Sequence, residues 1–430
     1  MRILNSMTGK NLSERDKKHL WHPLTQHKTA APNIGIAKAK GALLWDEDGK
    51  EYIDGIASWY STMYGHGNTT IVKAITEQMQ QLDFVMFSGF THEPAIKLSE
   101  ELVKILPDNQ SKIFFNDNGS TAVEAAIKMA LQYHHNIGEK RDTLIAFEDG
   151  FHGDTFGAMS ASGLSSYNGP FEDFLLKVER IPVPKVDTIE SVLAQLETII
   201  QNNNCAAFVF EPLVQGAAGM KFHSAKGLSL LIEKCNEKGI ICIADEIMTG
   251  FGKTGKNFAS EYLDHKPDIM CLSKALTAGM FPLSITSCSQ KIFDRFLSDE
   301  VSKGFFHAHT FSAHPLGCVA ALSGIELLLS KDITENRQKI EHLHRRFLKD
   351  IQGHPKVGEA RSIGVILAVD LNIEIARYGN TRDQLYQFFM KRGVVLRPLG
   401  NTIYVLPPYI ITDTQLHKIY GAIKELLETL

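Results

Sequence analysis

Strand-length apolar runs without polar alternation, each separated from the next by a helical pattern, constrain this chain more than any other feature. Such runs stand at 143–147, 206–210, 240–244 and 268–272, with KIFFN at 112–116 ahead of them. A strand with one wet face alternates apolar and polar residues, so unbroken runs require cover on both faces. Helical patterns at 70–82, 93–105 and 120–133 supply cover, the last placing Val123, Ile127, Ala130 and Leu131 on one face. The spacing predicts an α/β fold with a mostly parallel sheet flanked by helices. A hairpin is predicted at 43–54, turning at Asp48-Gly49.

After about residue 325 the texture changes. Long helical stretches at 331–351 and 381–392 alternate with strands predicted at 364–371, 394–397 and 402–406. The last helix opens at Thr412 with Gln415 in capping-box spacing, and Leu416, Ile419, Tyr420, Ile423, Leu426 and Leu427 fit one stripe. This predicts a large domain over 65–325 and a smaller α+β domain over 326–430, which the N-terminal segment 1–64 joins.

Several classes of function fall away on charge and composition. The 45 basic residues set against 49 acidic ones leave a net charge of −4, with no basic excess for nucleic acid. No charge-free apolar run is long enough to span a bilayer. Charge interrupts MRILNSMTGKNLSERDKKHLW too early for a signal-peptide core. The six cysteines include no C-x-x-C pair, which favours buried free thiols and a cytoplasmic protein.

The loudest motif is GFGKTGKN at 250–257, which satisfies G-x-G-x-x-G and most of a phosphate-binding loop. Such a loop must follow a strand directly and open a helix. Here Asp245-Glu246 intervene and Asn257 replaces the metal-binding hydroxyl, so a P-loop phosphotransferase is the alternative from a different class. Asp245 itself is more telling. An acid at the carboxyl end of a buried parallel strand faces the crevice where such sheets bind ligands, and burial demands a partner or polar solvent. The next strand ends in Ser273-Lys274, so one crossover puts an acid and a lysine at the same sheet edge. Pyridoxal 5'-phosphate needs that pair, a lysine to hold its aldehyde and an acid to keep its ring nitrogen protonated. Asn118-Gly119-Ser120-Thr121 opens a helix after KIFFN and offers an anion site, while Phe151 follows LIAF and offers a ring platform. Each feature alone is usually structural; their register at successive strand ends carries the argument.

The stretches ADEIMTGFGKTGK at 244–256, LSKALTAG at 272–279 and HTFSAHPLGC at 309–318 resemble the class III, fold-type-I aminotransferases, and the likeness runs over nearly the whole chain. Further similar segments are HLWHPLTQ 19–26, MFSGFTHEPAI 86–96, GSTAVEAAIKMALQY 119–133, GFHGDTFGAMS 150–160, EPLVQGAAGM 211–220 and LRPLGNTIYVLPPYI 396–410. The resemblance implies amino transfer from S-adenosylmethionine to 8-amino-7-oxononanoate, giving 7,8-diaminononanoate in biotin biosynthesis. Another class III transaminase or aminomutase, using lysine or a different amine, is the alternative of the same chemistry. It further implies Lys274 as the residue that holds the cofactor, Asp245 as partner of the ring nitrogen, and Gly119 and Ser120 as the phosphate cup. Thr310 corresponds to a threonine that reaches the phosphate of the neighbouring subunit, implying a homodimer with shared active sites and no metal. Arg397 corresponds to the arginine that takes the keto acid's carboxylate, and Tyr60, Asp154 and Tyr404 fall at substrate positions. Leu24 and Phe151 stand where the family commonly has tyrosine, Tyr60 where it has tryptophan, and Lys253 where it has arginine. These changes bear on the amino donor.

Overall fold

The computed structural model describes residues 11–164, 168–373 and 380–430. The first ten residues, half of the N-terminal stretch read above for a signal core, lie outside the described part. A seven-stranded sheet forms the centre, in the spatial order Gln110–Asn116, Ser284–Ser289, Ile269–Leu272, Ile241–Asp245, Cys205–Phe210, Thr143–Phe147, Val178–Ile181. All run parallel except Ser284–Ser289, which is antiparallel to both neighbours.

The strands lack alternation because each face enters a different core. Cys242, Ala244, Phe208, Phe210 and Phe147 pack in one cluster, and the intervening Ile241, Ile243, Ala207, Val209 and Ala146 pack in the other. Helix Gly119–Asn136 covers the second face, and its Val123, Ile127 and Ala130 are buried there. All six cysteines are buried and free. Among the described residues, no helix is long and apolar enough to cross a membrane.

Six of the described strands escaped the sequence reading, Ile36–Lys40, Val178–Ile181, Val214–Gln215 and Lys221–Phe222 among them, and the other two show why. Ser284–Ser289 (SITSCS) is too polar to read as a core strand, yet every residue in it is buried. Its hydroxyls make that possible: Ser284 Oγ donates to Asn118 O (2.6 Å), Thr286 Oγ1 to Ala122 O (2.8 Å) and Ser287 Oγ to Gln110 Oε1 (2.7 Å). Strand Val357–Ile363 (VGEARSI) is charged and sits at the edge of a three-stranded antiparallel sheet with Ile366–Leu371 and Thr402–Val405. The predicted strand 364–371 is thus the second arm of a hairpin that turns at Gly364, where φ is +53°.

The N-terminal hairpin forms from Leu43–Asp46 and Glu51–Asp54, with Ile36–Lys40 added on its outer side. Glu51–Asp54 pairs parallel with Val394–Val395, which ties the beginning of the chain to its last third. Helix Asp413–Thr429 opens on the Thr412–Gln415 capping box and buries all six residues of its apolar stripe.

Thr286 offers a test of the polar strand. It accepts from Asn116 Nδ2 at 3.0 Å while donating to Ala122 O. Thr286→Val keeps the shape and removes both bonds, leaving Asn116 Nδ2 only a longer bond to Phe114 O at 3.4 Å, so stability should fall by about 1–3 kcal/mol in denaturant unfolding at fixed protein concentration. A change below about 0.5 kcal/mol, the range of ordinary surface substitutions, would mean the strand does not depend on this bond.

Candidate active site

At the carboxyl edge of the sheet lies a cavity of about 400 Å³. Strand Ile241–Asp245 delivers Asp245 to its floor, and the neighbouring strand Ile269–Leu272 delivers Lys274. Phe151, Gly119, Ser120, Tyr60, Asp154, Arg397 and Tyr404 line the same cavity, so nine of the ten residues singled out in the sequence converge. Thr310 does not line it. That residue is exposed, in a loop that also exposes Phe306 and Phe311.

Asp245 is buried and its need for a partner is met by His152. The His152 Nδ1–H donates to Asp245 Oδ2 at 2.7 Å, while Ile247 N donates to Oδ1 at 3.0 Å. Burial opposes a charge on His152, but the hydrogen bond and charge of Asp245, helped by Glu211, win and hold its pKa above the ordinary histidine value. Glu211 ends the next strand over and is buried too. Its carboxylate accepts from Phe151 N (3.0 Å) and Gly216 N (2.8 Å). Burial and the Asp245 charge push its pKa up to about 7, against the pull of His152 and those two amides. Burial also lowers the pKa of the Lys274 ammonium, which Asp245 and Glu211 only partly offset. The floor therefore offers an amine able to shed its proton beside a carboxylate that is hydrogen-bonded to an imidazole.

One wall is the N-terminus of helix Gly119–Asn136. Asn118 caps it by accepting from Thr121 N at 3.1 Å, leaving the first-turn amides of Gly119 and Ser120 toward the cavity edge. Gly153 closes on this wall at φ +131°, and a Cβ there would lie 2.1 Å from Ser120 Oγ. Only glycine permits that approach. Asp154 N donates to the same hydroxyl at 3.2 Å. Phosphate of pyridoxal 5'-phosphate suits this helix end and its ring suits the space between Phe151 and Asp245, so the residues present fit the group.

The opposite wall comes from residues 57–60. Ala57, Ser58, Trp59 and Tyr60 have φ of +47°, +45°, +70° and +69°, one left-handed helical turn without a glycine. Such a conformation costs about 1–2 kcal/mol per residue. The turn directs the Trp59 ring to 4.8 Å from the Arg397 guanidinium, and the Tyr60 ring to 5.2 Å from Lys274 Nζ. Tyr60 OH donates to Tyr404 OH at 3.0 Å. Lys274 itself has φ +48°, another left-handed residue that only its surroundings can hold.

The glycine loop takes no part in this cavity. Glu246 turns away from it and accepts from Thr249 Oγ1 (2.9 Å), Ala259 N (2.8 Å) and Ser260 N (2.6 Å). Lys253 is fully buried, donates to Gly250 O at 3.0 Å, and does not line the cavity, so it does not meet Asp154 there. No α-helix opens after the loop, only the short 3₁₀ turn Ala259–Tyr262. The phosphate-loop alternative fails on both counts.

Sequence reasoning missed His152, Glu211, Trp59 and Arg382 among the cavity residues. Glu211 was within reach of the argument used for Asp245, since it too follows an apolar parallel strand directly. His152 stood in the Gly150–Gly153 run but faces inward, which no spacing could reveal. Trp59 depends on an unusual backbone, and Arg382 on how a distant helix docks.

Residues 25–427 match the model of the family described as aminotransferase class III. An adenosylmethionine-8-amino-7-oxononanoate aminotransferase from Synechococcus elongatus is 44% identical over 95% of this chain and 98% of its own length. The protein of that name from Helicobacter pylori is 33% identical, with 98% of each chain covered. The crystal structure of the Methanocaldococcus jannaschii protein of that name superposes with a TM-score of 0.91 at 33% identity, covering 96% of this chain and 98% of the other. A PLP-bound amine transaminase from an uncultivated Pseudomonas species superposes at 0.88 with 29% identity, covering 95% and 98%. With the family model spanning almost the entire chain and relatives matched end to end, this protein belongs to the class III aminotransferases, which depend on pyridoxal 5'-phosphate.

Proposed function

We propose that the chain moves the amino group of S-adenosylmethionine to 8-amino-7-oxononanoate, forming 7,8-diaminononanoate in biotin biosynthesis. The relatives' shared name supports the substrates. The observation that carries the chemistry is Lys274 and Asp245 on one cavity floor, with the cation of Arg397 at the wall. Pyridoxal 5'-phosphate supplies an electron sink when bound. Gly119 and Ser120 would hold its phosphate, Phe151 its ring face, and Asp245 a proton on its ring nitrogen. His152 orients Asp245 by donating to Oδ2. Lys274 would hold the aldehyde between turnovers; its Nζ, once released, would carry the proton from the donor carbon to the cofactor, and from the cofactor to the acceptor carbon in the second half-reaction. Burial, which lowers the pKa of Lys274, favours the free amine that this task requires. Arg397 would bind the keto acid's carboxylate with its planar fork, while Tyr60, Tyr404 and Asp154 line the space between.

Thr310 is exposed and outside its own cavity, beside exposed Phe306 and Phe311, which supports a homodimer in which it serves the neighbouring subunit's phosphate site. Buried free cysteines and biosynthetic relatives support work in the cytoplasm.

The purified enzyme should be yellow, and borohydride should fix the cofactor to Lys274, located by peptide mass. Lys274→Ala should fold yet lose turnover; full activity would sink the mechanism. Arg397→Ala should weaken the keto acid by about 2–4 kcal/mol in single-turnover titrations, while the spectral change on adding donor alone stays close to that of the parent. Equal damage to both halves would make Arg397 structural or shared. Leu24 lines the cavity with an aliphatic side chain, forgoing an aromatic contact worth roughly 0.5–1.5 kcal/mol. S-adenosylmethionine should still convert the enzyme to its pyridoxamine form. Conversion by lysine alone would move the donor assignment and leave the aminotransferase standing.

A further inference from the structure

Trp59 and Tyr60 reach the cavity from a turn that opposes backbone preference at four consecutive residues, yet two of the groups that hold it lie outside the cavity. Asp54 is fully buried at the end of strand Glu51–Asp54. Its Oδ2 accepts from Ser58 Oγ at 2.7 Å and from His66 Nε2 at 3.0 Å, and its Oδ1 accepts from Ile56 N at 3.3 Å. His66 is fixed in turn by reciprocal backbone bonds with Gly41, at 2.8 and 2.9 Å. One carboxylate thus ties together the strand end before the turn, the turn's second residue and a separate backbone segment. Without glycine in the turn, slack in these ties would let it relax to ordinary backbone, and its successive side chains would leave in different directions.

Those side chains meet the two groups read above as the ends of the substrate space, the carboxylate's partner and the amine at the reacting carbon. Trp59 lies against the guanidinium of Arg397, and the next residue, Tyr60, lies against the amine of Lys274. We propose that Asp54 and His66 are positioning residues that fix the separation of these two ends. They thereby set the length of keto acid accepted, counted as methylenes between the reacting carbonyl and the carboxylate. The inference rests on the reading of Arg397 as the carboxylate's partner.

The test uses the full-length, cofactor-loaded enzyme and keto acids that differ by one methylene either side of the preferred acceptor. Asp54→Asn and His66→Gln should raise the preferred acceptor's KM roughly 10- to 100-fold, the scale of a misplaced positioning contact, with kcat within about threefold. Discrimination among the chain lengths should fall toward one. His66→Gln exchanges a fixed ring donor for a flexible amide, loosening one of three ties, and serves if Asp54→Asn fails to fold. Ala57→Gly lifts the left-handed cost at one position and touches none of Asp54's bonds, so adding it to Asp54→Asn should restore part of the length discrimination. A merely structural role would not be rescued by placing glycine at a buried site. Unchanged discrimination in both single variants, or no recovery in the double variant, overturns the inference. Arg397→Ala separates it from its premise. Weakened acceptor binding there, with intact length discrimination in Asp54→Asn and His66→Gln, defeats the inference alone; intact binding in all three defeats both.

Discussion

A carboxylate buried at the end of a β-strand must find a partner or forfeit several kcal/mol, and that requirement organises the sheet edge of this protein. Asp245 meets it through His152, and against burial Asp245 and Glu211 hold the imidazole's pKa above the ordinary histidine value. Glu211 in turn is held by the amides of Phe151 and Gly216, so the segment that carries the aromatic platform is fixed by the same group that supports the imidazole. Three strand ends thereby become one electrostatic unit. Lys274, beside them, loses its proton more readily because burial outweighs the two carboxylates.

Around this unit the backbone bears strain where side chains face the cavity. The 57–60 turn and Lys274 all lie in the left-handed region without glycine. Their neighbours are buried and well bonded, with Asp54 anchoring the turn and strand Ile269–Leu272 packed on both faces ahead of Lys274. The large double-sided core holds conformations that the local sequence would abandon on its own. The four-stranded sheet assists by pairing Glu51–Asp54 with Val394–Val395, which brings the Trp59 turn and Arg397 to the same wall.

Unbroken apolar runs and helical periodicity sufficed to place most of the central strands, the capped last helix and the sheet edge where Asp245 and Lys274 stand, because hydrophobic burial is written residue by residue. Polar strands such as Ser284–Ser289 were illegible for the converse reason: their hydroxyls are satisfied by Asn118, Ala122 and Gln110, which lie more than a hundred residues away. The glycine-rich 250–257 segment carried a false likeness to a phosphate loop, since its motif says nothing about the direction in which Glu246 and Lys253 turn.

What the sequence determined by itself was the class of chemistry, an acid and a lysine one crossover apart on a doubly covered sheet, with a helix N-terminus to receive an anion. Tertiary structure decided which groups tune that pair and how wide the cavity opens. His152 and Glu211 act through contacts across strands, and Trp59 reaches Arg397 only because a strained turn is held from behind by Asp54 and His66. Long-range hydrogen bonds and backbone conformations imposed by packing leave no periodic trace along a chain, which is why these were decided by the fold alone.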